Sequence, residues 1–257
     1  MSAAPSLFAP SRFAPSRLAA APCLLYSCCS WPPSTPLEIK YVLLGATSVG
    51  KTSLASRLVY DRFRTTEAPT IGAAFSTKVF SVNAPDEKRR VALSAGAGTR
   101  KRLVKAVVWD TAGQEKYHSL TPMYYRNAMC AIICYDITSA ESFEEAQRWS
   151  DELRLQGPEH CVVCVVGNKS DMEAERQVAT SDAKAWSNTV GASFYEVSAK
   201  TGSSSCAKIF EESAMRVLRH PLLLQYHAKP NPRRARPETP RDRVLREGKR
   251  RWPCFGR

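Results

Sequence analysis

Short apolar runs alternate along most of the chain with longer segments whose apolar residues recur at helical spacing. The runs that predict strands cover residues 41–44, 75–82, 103–109, 130–135, 161–166 and 193–196. The segments that predict helices cover residues 51–59, 141–156, 181–190 and 206–218. Strands that alternate with helices are typical of a parallel α/β sheet. We therefore predict an α/β fold with a mostly parallel six-stranded sheet and helices on both faces.

Three segments depart from this pattern, so the folded domain is expected to span residues 38–222. Residues 1–37 are rich in Ala, Ser and Pro and repeat Phe-Ala-Pro-Ser-Arg in tandem from Phe8. They predict a disordered extension or, since they contain Arg and no acidic residue, an organelle transit peptide. Residues 83–102 are polar and exceed the usual length of a hairpin loop, which indicates a basic loop insertion. Residues 223–257 are rich in Pro and Arg and predict a disordered basic tail.

The formal net charge of +13 is concentrated in two of these segments. Residues 228–257 carry 11 Lys/Arg and 3 Asp/Glu, and residues 83–106 carry 7 Lys/Arg and 2 Asp/Glu. The rest of the chain is therefore close to neutral. No RRM, KH, zinc or helix-turn-helix pattern is present, so no specific nucleic acid is expected as a partner. No apolar run approaches the roughly 18 residues that a membrane span needs.

The nine cysteines do not form the pattern of a secreted disulfide framework. Cys161 and Cys164 have CxxC spacing, but they fall on a predicted buried strand. Because strand positions i and i+3 face opposite sides of a sheet, the two thiols cannot bind one metal ion. These two thiols are therefore expected to pack in the core rather than to bind metal or act in redox chemistry, and a reducing cytosol is the expected compartment.

The first chemical motif is a phosphate-binding loop. The segment from Gly45 to Thr52 matches GxxxxGK[ST] and lies between a predicted strand and a predicted helix, which is the context that the motif requires. Backbone N–H groups and the helix N-terminus would bind phosphate oxygens. Lys51 would neutralise the β- and γ-phosphates during catalysis, and the Thr52 hydroxyl would ligate Mg²⁺. The nucleotide-binding residues expected here are Gly45, Thr47, Ser48, Val49, Gly50, Lys51, Thr52 and Ser53. The fold is therefore expected to be that of a P-loop NTPase.

A second motif, Trp-Asp-Thr-Ala-Gly-Gln-Glu, occupies residues 109–115 at the end of a predicted strand. Asp110 is expected to bind Mg²⁺ through water, and Gly113 to let its N–H approach the γ-phosphate. Gln114 is placed to orient the attacking water, as a catalytic residue. Such a motif alone could be a solvated turn, but its position one strand pair after the phosphate loop favours the catalytic interpretation.

The third element is a pair of short motifs, Asn-Lys-Ser-Asp at residues 168–171 and Ser-Ala-Lys at residues 198–200. Each follows a predicted strand, at the edge where open α/β sheets bind ligands. The Asp171 carboxylate can accept hydrogen bonds from N1–H and the amino group of guanine, and the Ala199 N–H can donate to O6. GTP and GDP are the expected nucleotides. The base-binding residues expected are Asn168, Lys169, Asp171, Ser198, Ala199 and Lys200.

With these motifs, residues 38–219 resemble the small GTPases of the Ras superfamily, and most of all the Rab family. Residues 69–75 resemble the Rab effector segment, and residues 116–126 and 135–138 resemble further Rab markers. The Gly-Ala-Ala-Phe and Tyr-His-Ser-Leu variants within them are similar to the early-endosomal branch.

The resemblance implies roles for residues beyond the three motifs. Thr70 would ligate Mg²⁺ and sense the γ-phosphate in the first switch. Phe63 would pack edge-on against guanine, whose face Lys169 would cover with its alkyl stem. The aromatic residues that effectors would contact are Phe75, Trp109 and Tyr124.

The resemblance further implies a GTP-hydrolysing switch in vesicle and endosomal membrane traffic. Its partners would be an exchange factor, a GTPase-activating protein and effectors that bind the GTP state. Thr47 and Ser48 stand where Ras has glycines, and crowding of Gln114 by their side chains implies slow intrinsic hydrolysis. No arginine is placed to complete the site in cis, so the activator would supply one. The expected location is cytoplasmic, peripheral on the cytosolic face of endosomal or vesicle membranes.

The membrane anchor departs from the Rab pattern of two prenylated C-terminal cysteines. Cys254 lies four residues from the end, but the Gly256-Arg257 that follows suits prenylation poorly. Cys28-Cys29 is a second candidate for lipidation, and the basic tail is expected to attract anionic lipid. Two alternatives stay open: a membrane-free GTP-dependent interaction module without a prenyl anchor, and a nucleic-acid binder that uses the basic tail.

Overall fold

A computed structural model describes residues 36–85, 99–113, 121–220 and 222–224. The strands are β1 (Leu37–Leu44), β2 (Ala73–Pro85), β3 (Thr99–Thr111), β4 (Cys130–Asp136), β5 (Val162–Asn168) and β6 (Ser193–Glu196). The helices are α1 (Lys51–Tyr60), α2 (Thr121–Tyr125), α3 (Ala140–Gln156), α4 (Thr180–Thr189) and α5 (Ser203–Leu218), with a 3-10 helix over Ser170–Glu175. These strands form one sheet in the order β2-β3-β1-β4-β5-β6. The β2–β3 pair is antiparallel and the other pairs are parallel, which confirms the predicted fold class.

Each face of the sheet has its own hydrophobic core. On one face, Tyr41 of β1 packs in a cluster that includes Phe210 of α5; on the other, Val42 belongs to a cluster with Trp149 of α3. Every residue of β4 is buried. Burial on both sides explains why the central strands read as continuous apolar runs rather than as alternating patterns. Helices therefore cover both faces, as predicted.

The β2–β3 hairpin is longer than the sequence pattern indicates. Each strand has 13 residues, and the antiparallel ladder continues to their far ends. Residues 83–85 and 99–102 belong to this ladder, so the predicted loop over residues 83–102 is wrong at both ends. The cause is packing: Val82 and Ala84 are each 5% exposed and join the core cluster that contains α5 residues. A buried face stabilises the paired strands in spite of their polar outer residues.

The edges of the domain also differ slightly from the prediction. Leu37 and Leu223 are both buried in the core cluster beneath α5, so the packed domain extends beyond residues 38–222 at both ends. The helix α2 and the 3-10 helix were not predicted, because segments this short carry too little periodicity. The predictions for the N-terminal extension, the centre of the 83–102 segment and the basic tail fall on residues outside the described ranges.

The cysteines and the helices of the described residues add two observations. All five described cysteines are free thiols. Cys164 lies in the cluster beneath α5 while Cys161 packs against the opposite cluster, which confirms that the CxxC thiols face opposite sides of the sheet. None of the helices in the described part of the chain has the length and apolar character that a membrane span requires.

Candidate functional site

A cleft of about 470 Å³ lies at the carboxyl ends of the parallel strands. The loops that follow β1, β3, β5 and β6 meet there, because parallel strands end at the same edge of the sheet. Many of the predicted nucleotide-binding residues line it: Thr47, Ser48, Gly50, Lys51, Thr52, Ser53, Phe63, Thr70, Gly113, Asn168, Lys169, Asp171, Ala199 and Lys200. Gly45, Val49, Ser198 and Asp110 are not among the lining residues.

The phosphate loop between β1 and α1 depends on its glycines. Gly45 has a φ of 133°, and a Cβ there would lie 2.1 Å from the Cys134 carbonyl oxygen. Gly50 has a φ of 93°, and a Cβ there would lie 2.2 Å from Nδ2 of Asn168. Both positions therefore exclude side chains, and the loop follows the neighbouring strands closely. This close packing leaves the open side of the loop to face the cleft.

The ammonium group of Lys51 is buried beneath this loop. Its Nζ donates to the carbonyl oxygens of Gly45 at 2.7 Å and Ala46 at 2.6 Å, and the side chain is 5% exposed. Burial lowers the pKa of Lys51, with Cys134 and Asp110 acting in the opposite direction. A shielded cation hydrogen-bonded to two backbone carbonyl oxygens is suited to a phosphate ligand.

Three oxygen-bearing side chains converge beside Lys51. The Thr52 hydroxyl donates to Oδ2 of Asp110 at 2.6 Å and lies 2.9 Å from the Thr70 hydroxyl. The other carboxylate oxygen of Asp110, Oδ1, is buried without a hydrogen-bond partner, and burial raises the pKa of Asp110 although the Thr52 bond lowers it. A buried, unsatisfied carboxylate oxygen among hydroxyls is the donor set that Mg²⁺ prefers, so these residues fit a magnesium ion.

Asn168 holds together the loops at the other end of the cleft. Its Nδ2 donates to the Val49 carbonyl at 2.8 Å, while its Oδ1 accepts from the Ala199 N–H at 3.1 Å. Ser198 donates to Oδ1 of Asp171 at 2.6 Å. Val49 and Ser198 therefore support the site from behind the lining. The arrangement leaves Asp171 and Ala199 side by side at the cleft.

Lys169 sits at the end of the Asn168 loop in a left-handed conformation, with a φ of 63°. Its ammonium group is 2.6 Å from Oδ2 of Asp136, the last residue of β4. Burial acts to raise the pKa of Asp136, but hydrogen bonds from Lys169 and Thr138 outweigh it and the pKa is lowered. The ion pair fixes the lysine head, and both Lys169 and Phe63 line the cleft.

The three aromatic residues of the predicted effector surface are in mutual contact. Phe75 meets Trp109 edge-on with 5.6 Å between ring centroids, and Trp109 lies 5.9 Å from Tyr124. Phe75 is 60% exposed. The Nζ of Lys40 lies 4.9 Å from the centroid of the Trp109 ring. A partly exposed aromatic cluster is suited to protein recognition.

Comparison with known proteins is consistent with this geometry. The Ras family model matches residues 40–219. The chain belongs to the Ras family.

Its relatives within the Ras family are Rab proteins. It is 42% identical over 183 residues to the Ras-related protein RABF2b of Arabidopsis thaliana. These residues cover 71% of this chain and 82% of that relative. It is 47% identical over 163 residues to the GTP-binding protein ypt5 of Schizosaccharomyces pombe, covering 63% of this chain and 70% of that protein. The human Ras-related protein Rab-31 is 42% identical over 163 residues, which cover 63% of this chain and 75% of that protein. These matches confirm the resemblance to Rab proteins.

Several residues that position this Ras-family site were not predicted. Arg57 of α1 donates to the carbonyl oxygens of Ala199 at 2.9 Å and Lys200 at 2.8 Å. Asp136 holds Lys169, and Arg176 lies at the end of the 3-10 helix that carries Asp171. No local spacing signals these roles, since the contacts of Arg57 with Ala199, Asp136 with Lys169, and Arg176 with Glu196 join residues distant along the chain. The predicted catalytic residue Gln114 lies outside the described residues.

Proposed function

We propose that this Ras-family protein binds GTP and GDP together with Mg²⁺, hydrolyses GTP, and acts as a switch in vesicle and endosomal membrane traffic. The observation that carries the proposal is the composition of one cleft. A buried Lys51 ammonium lines one end, with an unsatisfied Asp110 oxygen near it, and Asp171 and Ala199 line the other end. The first pair suits a phosphate chain with its cation, and the second suits a guanine edge.

The phosphate end is proposed to work through fixed charges and dipoles. Lys51 binds the β- and γ-phosphates and withdraws negative charge as the bond to the γ-phosphate breaks. Thr52 and Thr70 would hold Mg²⁺ directly and Asp110 would hold it through water. The ion would neutralise charge on the phosphates. Because Thr70 belongs to the first switch, release of the γ-phosphate removes a contact that orders this segment.

The base end is proposed to select guanine. Asp171 accepts hydrogen bonds from N1–H and the 2-amino group, which adenine cannot offer, and the Ala199 N–H donates to O6. Phe63 packs against the ring and the stem of Lys169 covers its face. A nucleotide that leaves such buried groups unpaired binds far more weakly, so discrimination against adenine is strong.

Hydrolysis is proposed to be slow without a partner. Gln114 orients the attacking water while the Gly113 N–H contacts the γ-phosphate. Thr47 and Ser48 are both exposed in the phosphate loop. Their side chains are expected to crowd Gln114 and so to slow hydrolysis. A GTPase-activating protein supplies the missing arginine in trans, and an exchange factor replaces GDP by GTP.

The aromatic cluster Phe75, Trp109 and Tyr124 is proposed to bind effectors in the GTP state. The Rab relatives favour this traffic role over a membrane-free interaction module. The protein is proposed to be cytoplasmic and peripheral on the cytosolic face of endosomal or vesicle membranes, held by its basic tail and by lipid at Cys254 or at Cys28-Cys29. Fractionation of cells that express Cys254→Ser tests the first lipid site, since a variant that stays on membranes excludes it.

The central experiment measures nucleotide binding and single-turnover hydrolysis on the full chain. Wild type is expected to prefer GDP over ADP by several orders of magnitude and to hydrolyse GTP slowly. Thr52→Asn should weaken GTP binding, because the amide replaces a hydroxyl ligand of Mg²⁺. Gln114→Leu should retain binding and lose hydrolysis. Equal affinity for guanine and adenine nucleotides would refute the proposal.

A further inference from the structure

The 3-10 helix that carries Asp171 is short and irregular. It spans Ser170–Glu175, and Met172 within it has non-helical dihedral angles (φ −102°, ψ 42°). None of its residues is buried. Isolated 3-10 helices have poor hydrogen-bond geometry and little stability of their own. The position of Asp171 at the cleft must therefore be fixed by contacts at the ends of this helix.

Arg176 supplies such a contact at the C-terminal end. Its guanidinium donates to both carboxylate oxygens of Glu173 at 2.8 and 2.7 Å, and to both of Glu196 at 2.9 and 3.0 Å. Nη1 also donates to the Val178 carbonyl at 2.9 Å. The planar fork of arginine is matched to carboxylates in this two-bond geometry, which fixes orientation as well as distance.

The contact with Glu196 joins the two loops that flank the base. Glu196 is the last residue of β6 and lies two positions before Ser198, the residue that donates to Asp171. The side chains of Arg176 and Glu196 are 16% and 17% exposed, whereas that of Glu173 is 67% exposed. Solvent weakens the pair with Glu173, so the shielded pair with Glu196 is the stronger constraint. Thr180 at the start of α4 adds hydrogen bonds to Glu196 at 3.0 and 3.1 Å.

We propose that Arg176 is a positioning residue for guanine recognition: by clamping the 3-10 helix onto Glu196, it sets the place of Asp171 relative to Ala199. The inference rests on the proposed function of the cleft and extends it to specificity. Arg176 does not line the cleft, so it acts on the nucleotide only through Asp171. Loss of the clamp should loosen recognition of the base while the phosphate loop stays intact.

The test compares GDP with inosine diphosphate, which lacks the 2-amino group that Asp171 would bind. Arg176→Gln on the full chain is expected to lower GDP affinity about tenfold, the size of one charge-assisted hydrogen bond. Affinity for inosine diphosphate should fall less, so the ratio of the two affinities decreases. Arg176→Lys keeps the charge but loses the planar fork, so its ratio of affinities should lie between those of Arg176→Gln and wild type.

A purely structural role predicts a different result. It would lower the melting temperature and both affinities alike, leaving their ratio at the wild-type value, and that outcome overturns the inference. Arg154→Gln is the matched control, because Arg154 forms an exposed ion pair with Asp151 on α3. If Arg176→Gln fails to fold, the ratio is measured on Arg176→Lys and Glu196→Gln, and an unchanged ratio in both overturns the inference. A wild type that does not prefer guanine over adenine would instead refute the proposed function itself.

Discussion

The side-chain amide of Asn168 donates a hydrogen bond to the backbone carbonyl of Val49, with 2.8 Å between the two atoms. This bond ties the loop after β5 to the phosphate loop after β1. The same side chain accepts from the Ala199 N–H and is 3% exposed. One residue thus connects three segments of the site, and the two ends of the cleft depend on each other through it.

Asn168→Ala should destabilise the protein and weaken nucleotide binding together. It leaves the Val49 carbonyl and the Ala199 N–H buried without partners, which costs about 3 kcal/mol of unfolding free energy. Urea denaturation measures this loss, and nucleotide titration should show at least tenfold weaker GDP binding. Asn188→Ala, at an exposed position of α4, should change neither quantity appreciably. A loss below about 0.5 kcal/mol for Asn168→Ala would contradict the bridging role.

Gly113→Ala should separate nucleotide binding from hydrolysis. A Cβ at this position would lie 2.5 Å from the Thr47 nitrogen and 2.6 Å from the Ala46 carbonyl carbon, so the segment must move away from the phosphate loop. Single-turnover hydrolysis is expected to fall at least tenfold, a loss of about 1.4 kcal/mol of transition-state stabilisation, while GDP affinity stays near wild type. Gly191→Ala is the control: its φ of 69° makes the alanine costly in stability, but its Cβ meets nothing within 4 Å and it does not line the cleft, so hydrolysis should stay at the wild-type rate. Equal hydrolysis rates for the two variants would refute the close-approach argument.

Ser48→Gly should stabilise the protein. Ser48 is exposed and has a φ of 65°, a left-handed conformation that costs a side-chain-bearing residue about 1 kcal/mol or more. Part of the gain is offset by the extra flexibility of glycine in the unfolded chain, so we expect a net increase of about 0.5 kcal/mol in urea denaturation. Asn127→Gly, at a φ of 58°, should gain less because asparagine tolerates this region. A destabilised Ser48→Gly would show that the serine has a compensating interaction.

Val82→Ala tests whether the far end of the β2–β3 hairpin belongs to the core. Val82 is 5% exposed, and removal of two methyl groups there should cost about 2 kcal/mol of unfolding free energy. Ser81→Ala changes the adjacent exposed residue of the same strand and should cost no more than about 0.5 kcal/mol. Equal costs for the two variants would show that the end of β2 does not pack into the core.

Ser203→Ala should change the titration of Asp61. The hydroxyl of Ser203 donates to Oδ1 of Asp61 at 2.5 Å, and this bond, followed by the one from Arg57, lowers the pKa of Asp61. A lowered carboxylate pKa adds stability that is fully present above the unfolded value of about 3.9 and is lost as the pH falls through the folded value. Ser203→Ala should raise the pKa of Asp61 toward 3.9 and reduce the stability lost below that pH.

Carboxyl NMR titration of Asp61 measures this change directly. Ser204→Ala, at the neighbouring position of α5, should leave the pKa of Asp61 where it is in wild type. If the pKa of Asp61 in Ser203→Ala stayed at its wild-type value, the Ser203 hydrogen bond would not be the cause of its lowered pKa.

Local motif spacing found the main phosphate- and base-binding residues proposed for the cleft, and the family resemblance added Phe63 and Thr70. Lys51, Asp110 and Asp171 each follow a predicted strand within a short motif, and parallel strands must end at the same edge of the sheet. The order of motifs along the chain therefore predicts which end of the cleft binds the phosphates and which binds the base. The comparisons then confirmed the Ras family on the same segments.

The contacts that hold those residues in place depend on the folded chain. Arg57 binds the Ala199 carbonyl 142 residues away, and Arg176 reaches Glu196 across the gap between the 3-10 helix and β6. Likewise, Ala84, in the segment predicted as a loop, belongs to a strand because it packs in the core cluster that contains α5 residues. Periodicity and motif spacing report only on neighbours along the chain, whereas the partner of a charged or half-buried side chain is fixed when distant segments pack against each other.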